Sequence, residues 1–400
     1  MNVLVFTSLF PSSVWPTRGI FVLERMRAVA GSPNLRLDVM APVPYYPSIA
    51  VGWRRAFARV PRMERIEGFD VYHPRYFMTP KIGMTFYGLS MGLCSVPAMR
   101  AVTRSAPIDL IDAHFAYPDG VAAALLSRMI GVPLILTVRG SDINVSAQLP
   151  VIKPWVRWAL RIARHVVAVS QALAERVAEL GVAREKIAVI PNGIDPHKFY
   201  AMPREEARAK LGVPKNRPMI LSVGNLAAHK GMDVLIEAMH HFRETEAIKT
   251  GTGKEPLLYL IGEGPDRIAL ERKIRDFALE DSVRLVGSLP HHELVLWYNA
   301  ADLFCLASQR EGCPNVVKEA LACGTPVLAS PVGGMPEILH SPSMGVLVPR
   351  SARAFASAMR DALMREWDRQ AISRLGQEQT WDRVGQRIRE LFASARQAHA

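Results

Sequence analysis

Cysteine is scarce in this chain. Cys94, Cys305, Cys313 and Cys323 are the four in 400 residues, and no two have the spacing of a zinc site or a dithiol redox motif. They read as small buried hydrophobes in a reducing compartment. Long apolar runs are scarce too. Residues 82–99, IGMTFYGLSMGLCSVPAM, carry no charge, but three glycines, two serines, a threonine and Pro97 dilute the stretch. That argues against a membrane span and for a buried or interfacial helix. The N-terminal MNVLVFTSLF lacks a basic n-region and a small-residue cleavage site, so it reads as a first strand and not as a secretory signal. The GxxxxGK[ST] order of a P-loop is missing. Nucleic-acid binding would need a basic stripe with stacking aromatics or a known module, and neither is visible despite a pI near 9.8. There is no internal repeat and no low-complexity tract.

What is present suits a soluble globular chain: hydrophobic residues make up 49% and charged residues 22%. Four hundred residues exceed one ordinary core and predict two domains of roughly 200 residues. The net charge of +12 is unevenly placed. Residues 1–195 hold 22 Lys and Arg against 13 Asp and Glu, whereas residues 196–400 hold 27 against 24. A basic first half suits an acidic partner, such as a phosphorylated substrate or an anionic membrane surface. A solvated basic surface would give the same count. Trp53, Arg54, Arg55, Arg59 and Arg62 stand near the uncharged stretch in sequence, so a reversible membrane contact stays open.

Short apolar runs alternate with helical periodicity through most of the chain. NVLVFTS precedes FVLERMRAVAG, IDLIDA precedes DGVAAALLSRMIG, and HVVAVS ends in Ser170, an N-cap for QALAERVAEL that Gly181 closes. This alternation predicts βαβ units and parallel sheets. Residues 196–217 are rich in Pro and charge and read as a linker. The alternation restarts at PMILSVG and continues to PVLAS, with terminal helices over 352–366 and 381–396. The expected organisation is an N-terminal Rossmann-like domain over 1–195, the linker, a C-terminal Rossmann-like domain over 218–375, and a last helix within 376–400 that returns to the N-terminal domain. Ligands of doubly wound sheets sit outside the carboxyl ends of the strands, so residues just after strands carry most of the functional weight.

Three such loops stand out in the second half. SVGNLAAHKG places Gly224 and Asn225 after a strand, with Lys230 and Gly231 before a helix. A helix N-terminus and a lysine together suit a diphosphate. IGEGPD offers Gly262 and Gly264 for close backbone approach to a ligand. REGCPNVVKEALACGTPV puts Glu311 in a loop at a strand end, lets Gly312 and Pro314 shape the turn, starts a helix at Asn315 and Val316, and sets Glu319 about one turn further on. Ionised carboxylates accept hydrogen bonds from hydroxyls. One in the loop and one in the helix could hold two hydroxylated groups on either side of a phosphate bridge, the layout of a nucleotide sugar. Either glutamate alone would read as a solvated residue near a helix start. In the first half, IDLIDAHFAYPDG ends a strand at His114, and LTVRGSD places Arg139 and Asp142 after the next strand. His114 reads equally well as a structural histidine, and Asp142 as a helix cap. TSLFPSSVWPTRG is a long loop holding Arg18 and Gly19.

Together these motifs resemble glycosyltransferase family 4, most specifically SQREGCPNVVKEALACGTPVLASPVGGMPE, which is similar to that family's Glu-x7-Glu signature with its Gly-Thr-Pro and Gly-Gly-x-Pro-Glu segments. VGNLAAHKG, GEGP, IPNGID and HFAYPDG follow the same order. The resemblance implies a retaining, metal-independent bacterial hexosyltransferase of GT-B fold, with two doubly wound Rossmann-like domains facing a central cleft. It needs no cofactor and takes a UDP- or GDP-sugar as donor. Glu311 would meet donor-sugar hydroxyls, Glu319 the ribose, Lys230 the diphosphate, and His114 the donor sugar at the reaction centre. Arg18, Gly19, Arg139 and Asp142 would lie on the acceptor or phosphate side. The family commonly has a basic residue in place of Asn225 and His-Gly in place of Arg139-Gly140, so phosphate neutralisation would lean on Lys230 and helix dipoles. The closest resemblance is to exopolysaccharide and teichuronic-acid-type enzymes. It implies a lipid-linked acceptor and a cytoplasmic enzyme at the inner membrane face. A nucleotide-sugar epimerase and a non-catalytic donor binder on the same fold are the rival expectations.

Overall fold

The computed structural model describes residues 1–31, 34–47, 53–79, 83–244 and 254–397. Ile82, the first residue of the uncharged stretch, lies outside them. The chain divides into two compact units: residues 1–193 with 381–400, and residues 194–380.

The first unit holds strands β1 (Asn2–Phe6), β2 (Arg36–Met40), β3 (Val43–Pro44), β4 (Met63–Ile66), β5 (Phe69–Tyr72), β6 (Arg75–Tyr76), β7 (Leu110–His114), β8 (Leu134–Val138), β9 (His165–Ala168) and β10 (Ile187–Val189). Eight of them form one sheet in the order β10-β9-β8-β7-β1-β2-β5-β4, and β3 pairs with β6. Every pair in the large sheet is parallel except β4 with β5. Strands β7 and β8 are buried at every position, as expected where helices cover both faces of a parallel sheet. Chain order reverses beside β1: β2 lies on one side of it and β7 on the other. The loops after β1 and β7 therefore flank the switch point where ligands of such sheets sit.

The uncharged stretch forms a short turn, Met84–Phe86, and the first part of the helix Tyr87–Ser105. Among the described residues no helix is long and apolar enough to cross a membrane. The helix Trp381–Gln397 belongs to this unit. Its Val384, Ile388, Phe392 and Ala395 recur at helical spacing and join Val22, Met26 and Val29 of the helix Ile20–Ala30 in one core. Gly385 permits that approach, since a Cβ there would stand 2.4 Å from the Ala28 carbonyl oxygen. Each such buried aliphatic or aromatic side chain contributes about 1.5–3 kcal/mol.

The second unit holds β11 (Met219–Val223), β12 (Leu257–Ile261), β13 (Val283–Gly287), β14 (Leu303–Leu306), β15 (Val327–Ala329) and β16 (Gly345–Leu347), all parallel, in the order β13-β12-β11-β14-β15-β16. Its switch point lies beside β11, with β12 on one side and β14 on the other. Residues 196–217, read from sequence as a linker, contain the helix Arg204–Leu211, which packs on the helix Leu294–Ala300 within this unit. The buried Ala207 and the committed guanidinium of Arg208 explain why a charge-rich segment docks here instead of remaining extended.

Candidate functional site

In the second unit the loops after β11 and β14 meet at backbone distance. Gly231 has φ 74°, and a Cβ on it would lie 1.9 Å from the Ala307 carbonyl oxygen, so only glycine fits. The amide of Gln309 donates to the carbonyl of His229 at 2.8 Å, and Arg350 Nε donates to the Ala307 carbonyl at 2.9 Å. This packing carries Lys230 to Glu311. Lys230 Nζ stands 2.7 Å from Glu311 Oε1, and Ser308 Oγ donates to the same oxygen at 2.7 Å. The Glu311 side chain is 8% exposed, so the pair is charge-assisted and partly desolvated. His229 and Arg310 extend the positive cluster. The His229 imidazole is pushed below its usual range by burial first, then by Lys230 and Arg310. Sequence reasoning passed over both residues, although each adjoins a residue it selected.

Gly262 and Gly264 also let two loops meet. A Cβ on Gly262 would lie 1.9 Å from the Gly224 carbonyl oxygen, and one on Gly264 would lie 2.3 Å from that of Leu226. Their close approach is to the neighbouring loop. The amides of Gly224 and Leu226 donate to the carbonyls of Ile261 and Glu263 at 2.9 and 3.0 Å. Asn225 is exposed on this loop. The Gly334 amide donates to the Gly312 carbonyl at 2.9 Å, and the helix Asn315–Ala322 follows Pro314 as N-cap, with Val316 half-buried.

Glu319 is buried in that helix and already holds protein donors. Its Oε1 lies 2.9 Å from His291 Nε2, and Tyr298 Oη donates to Oε2 at 2.8 Å. Burial and the adjacent Glu319 push the Tyr298 hydroxyl well above its usual range. A carboxylate has about four lone-pair sites, so capacity remains for a diol. With Glu319 on the ribose, as the family resemblance implies, the Glu319→Ala variant should weaken nucleotide binding by about 1.5–3 kcal/mol. It should also lower the stability of this unit by about 1–3 kcal/mol, because the buried Tyr298 hydroxyl loses its acceptor. Calorimetry and urea unfolding measure the two; unchanged nucleotide affinity with the stability loss alone would leave Glu319 a structural acceptor.

In the first unit His114 ends β7 and is fully buried. Arg139 Nη2 lies 2.9 Å from His114 Nδ1, and Arg139 Nη1 donates to Asn192 Oδ1 at 2.7 Å. A guanidinium only donates, so Nδ1 accepts and the imidazole proton sits on Nε2, which lies 3.4 Å from Asp112 Oδ2. Burial lowers the His114 pKa to about 4 against the opposing pull of Asp112. His114 is therefore neutral at physiological pH. Asp112 is itself lowered: burial acts to raise it, and His114 and Arg25 outweigh that. Asp142 accepts from the amides of Ala116 at 2.8 Å, Gly140 at 2.8 Å and Arg139 at 3.1 Å, and so ties the loop after β8 to the one after β7. Phe115, directly after His114, has φ 73°. A non-glycine residue there stores strain of about 1–3 kcal/mol, held by its amide donating to the Thr137 carbonyl at 2.9 Å and its carbonyl accepting from Gly120 at 2.8 Å. Gly19 caps the next helix with φ 68°, against the Leu9 carbonyl.

Asp119, in HFAYPDG, has no local sequence signal that marks it as functional. It accepts from the amide and hydroxyl of Ser8, which joins the loops after β7 and β1. Burial pushes its carboxyl up to about 7 against the pull of Ser8 and Arg18. Arg18 lies 5.6 Å from the Trp15 and Phe57 ring centres. The raised Asp119 and the lowered His114 act oppositely on stability. Asp119 binds its proton in the folded state between the ordinary carboxylate value of 3.8 and about 7, so its contribution weakens as pH rises through that window. His114 sheds its proton on folding between about 4 and 6.5, so its contribution grows there. Asp119→Asn removes the first effect. Its stability relative to wild type should improve by on the order of 4 kcal/mol from pH 4 to pH 7. Urea midpoints across that range test this, and parallel wild-type and variant curves would contradict it.

Among the described residues no group of three or more His, Cys, Asp or Glu side chains could hold a metal ion. Two doubly wound units, each with polar side chains gathered at its switch point, define the GT-B class of glycosyltransferases. Residues 203–379 match the family model for glycosyl transferases group 1, and residues 78–198 match that for Glycosyltransferase Family 4. TuaC of Bacillus subtilis, assigned as a glycosyltransferase to teichuronic acid biosynthesis, is 30% identical over 388 residues, 95% of this chain and 90% of that one. Among solved structures, sucrose-phosphate synthase from Thermosynechococcus elongatus superposes with a TM-score of 0.80 at 21% identity over 99% of both chains. Anabaena HepE in complex with UDP-glucose gives 0.70 at 20% identity, over 98% of this chain and 99% of that one. The chain belongs to glycosyltransferase family 4, and it is an enzyme that transfers sugars.

Proposed function

We propose that the enzyme moves a sugar, with retention, from a UDP- or GDP-sugar to a hydroxyl of a lipid-linked saccharide in cell-surface polysaccharide synthesis. The Lys230–Glu311 pair at the switch point of the second sheet carries this reading: it sets a cation for a diphosphate beside a carboxylate for sugar hydroxyls. The UDP-glucose held by HepE supports a nucleotide-sugar donor, and the teichuronic acid assignment of TuaC supports a role in polysaccharide synthesis. The acceptor oxygen bonds to the anomeric carbon as the bond from that carbon to the diphosphate breaks. The electron pair stays on the phosphate oxygen, which takes the acceptor proton. Charge growing on that oxygen is met by Lys230, by Arg310 and by the amides before the helices Met232–Arg243 and Asn315–Ala322.

The lipid-linked acceptor would bring the enzyme to the inner membrane face. Phe77, Phe86 and Leu93 are 69%, 62% and 60% exposed. Ser90 Oγ accepts from the Phe77 amide at 3.1 Å, which sets Phe77 beside the helix that carries Leu93. Exposed Arg54, Arg55, Arg59 and Arg62 belong to the same unit and suit anionic headgroups.

The test is incubation with donor labelled in the sugar, plus membrane-extracted acceptor lipid, with and without EDTA. Label should pass to the lipid at equal rates in both. Label remaining on a nucleotide sugar of altered stereochemistry would favour an epimerase. Activity lost in EDTA and restored by magnesium or manganese would overturn metal independence.

A further inference from the structure

The second unit has a large polar cavity at the end of its sheet away from Lys230 and Glu311. Pro218, Asp302 and Pro326, the residues immediately before β11, β14 and β15, line a space of about 680 Å³. Lys230 and Glu311 follow the other ends of β11 and β14, so the cavity stands a strand's length from the donor loops. Its lining holds seven arginine and lysine side chains against two carboxylates.

Three of the arginines form a fixed wall. Arg208 Nε donates to the Ala300 carbonyl at 2.9 Å and Nη2 to Asp302 at 2.5 Å. Arg217 donates to the carbonyls of Glu255 and Pro256. Arg369 donates to the Ala301 carbonyl and to Thr325 Oγ1, both at 2.9 Å. Asp302 is used up: it accepts from Arg204, from Arg208 and from the Met219 amide at 2.6 Å. Burial, and next the charge of Arg204, bring Arg369 down to about 10. The wall is therefore positive beyond what its own carboxylate offsets.

Three further cations, Lys215, Lys254 and Arg365, line the same space and are exposed. None of these three side chains has a hydrogen bond or ion pair among the described residues. Arg365 is held by stacking, its guanidinium 4.0 Å from the Trp367 ring centre. A stacked arginine over a concave basic wall is pre-set for phosphate oxygens, which a guanidinium engages through two parallel N–H donors. Seven cations outnumber Asp302 and Glu366 on this lining; like charges in such excess repel one another, and a multivalent anion relieves that repulsion.

We propose that this cavity is a second anion site, for a ligand with at least two phosphate charges, distinct from the donor loops. A soluble polyphosphate and the headgroup of a lipid with two phosphates share that chemistry, and the test separates them. Pyrophosphate is titrated by calorimetry into the Lys230→Ala protein, in which the donor loop lacks its cation, and into the same protein carrying Lys215→Glu, Lys254→Glu and Arg365→Glu. Both proteins are also sedimented with cardiolipin vesicles and with phosphatidylcholine vesicles. Charge reversal should weaken pyrophosphate binding at least about tenfold if the ligand is soluble. It should weaken cardiolipin binding alone, and not phosphatidylcholine binding, if the ligand is a headgroup. The three reversals placed in wild type should leave sugar transfer unchanged, which confirms the fold. Pyrophosphate and vesicle binding that are both indifferent to the three reversals would overturn the proposal.

Discussion

Replacing Lys230 by alanine should lower kcat by about 10²–10³, in the range found for removing one donor to a developing oxyanion. The reason lies in when the charge appears. A bound nucleotide sugar already carries charge on its diphosphate, but the oxygen that leaves gains more as its bond to the anomeric carbon breaks. A cation there therefore stabilises the transition state more than the ground state. Lys230 suits this role because its surroundings hold it in place: Gly231 presses on Ala307, and Nζ reaches Glu311 at 2.7 Å. The pair also complicates the variant. Glu311, 8% exposed, keeps only the Ser308 hydroxyl once the ammonium is gone, and a buried carboxylate without its cation costs stability. Lys230→Ala with Glu311→Gln removes that cost while leaving the cation absent. If the double variant recovers stability and not turnover, the loss belongs to the diphosphate charge. If KM alone rises, Lys230 only anchors the ground state.

Much of this site was legible because parallel strands buried on both faces are written as apolar runs, and the loops after them hold the residues that interrupt the pattern. Gly224, Lys230, Glu311 and Glu319 could be placed from strand, loop and helix order alone. What could not be read was the partner of each. His291 and Tyr298 hold Glu319 from a segment without a motif, since contacts across a fold leave no local spacing. Gly262 and Gly264 showed a need for close approach, but not that the neighbour is another loop. Asp119 lies in HFAYPDG, yet its elevated carboxyl depends on burial, which outweighs the hydrogen bonds from Ser8 and which no window of sequence displays. The segment 196–217 looked like a linker because charge and proline mimic one. Its arginines instead bond to backbone carbonyls within the second unit.

His114→Ala should abolish most sugar transfer while nucleotide affinity stays near that of wild type. The residues proposed to hold the nucleotide, Lys230, Glu311 and Glu319, all belong to the second unit, and His114 belongs to the first. The variant is not silent in its own unit. Arg139 Nη2 loses its acceptor and Asp112 loses the nearest imidazole, in surroundings without solvent. A hydrogen bond to a charged group contributes about 1.5–3 kcal/mol, so the first unit should unfold at lower urea. A substitution that keeps an acceptor near Nδ1 separates structure from chemistry: His114→Asn can offer its side-chain oxygen to Arg139. If the asparagine variant regains stability but not transfer, His114 acts on the reaction itself. As a neutral imidazole with its proton on Nε2, it would act as a hydrogen-bond donor and not as a base, so transfer should show no kinetic pKa near 6.5 that His114→Asn removes. If stability and transfer recover together, His114 works by holding Arg139 and the loop after β8. Loss of nucleotide affinity in a folded alanine variant would contradict the division of roles between the two units.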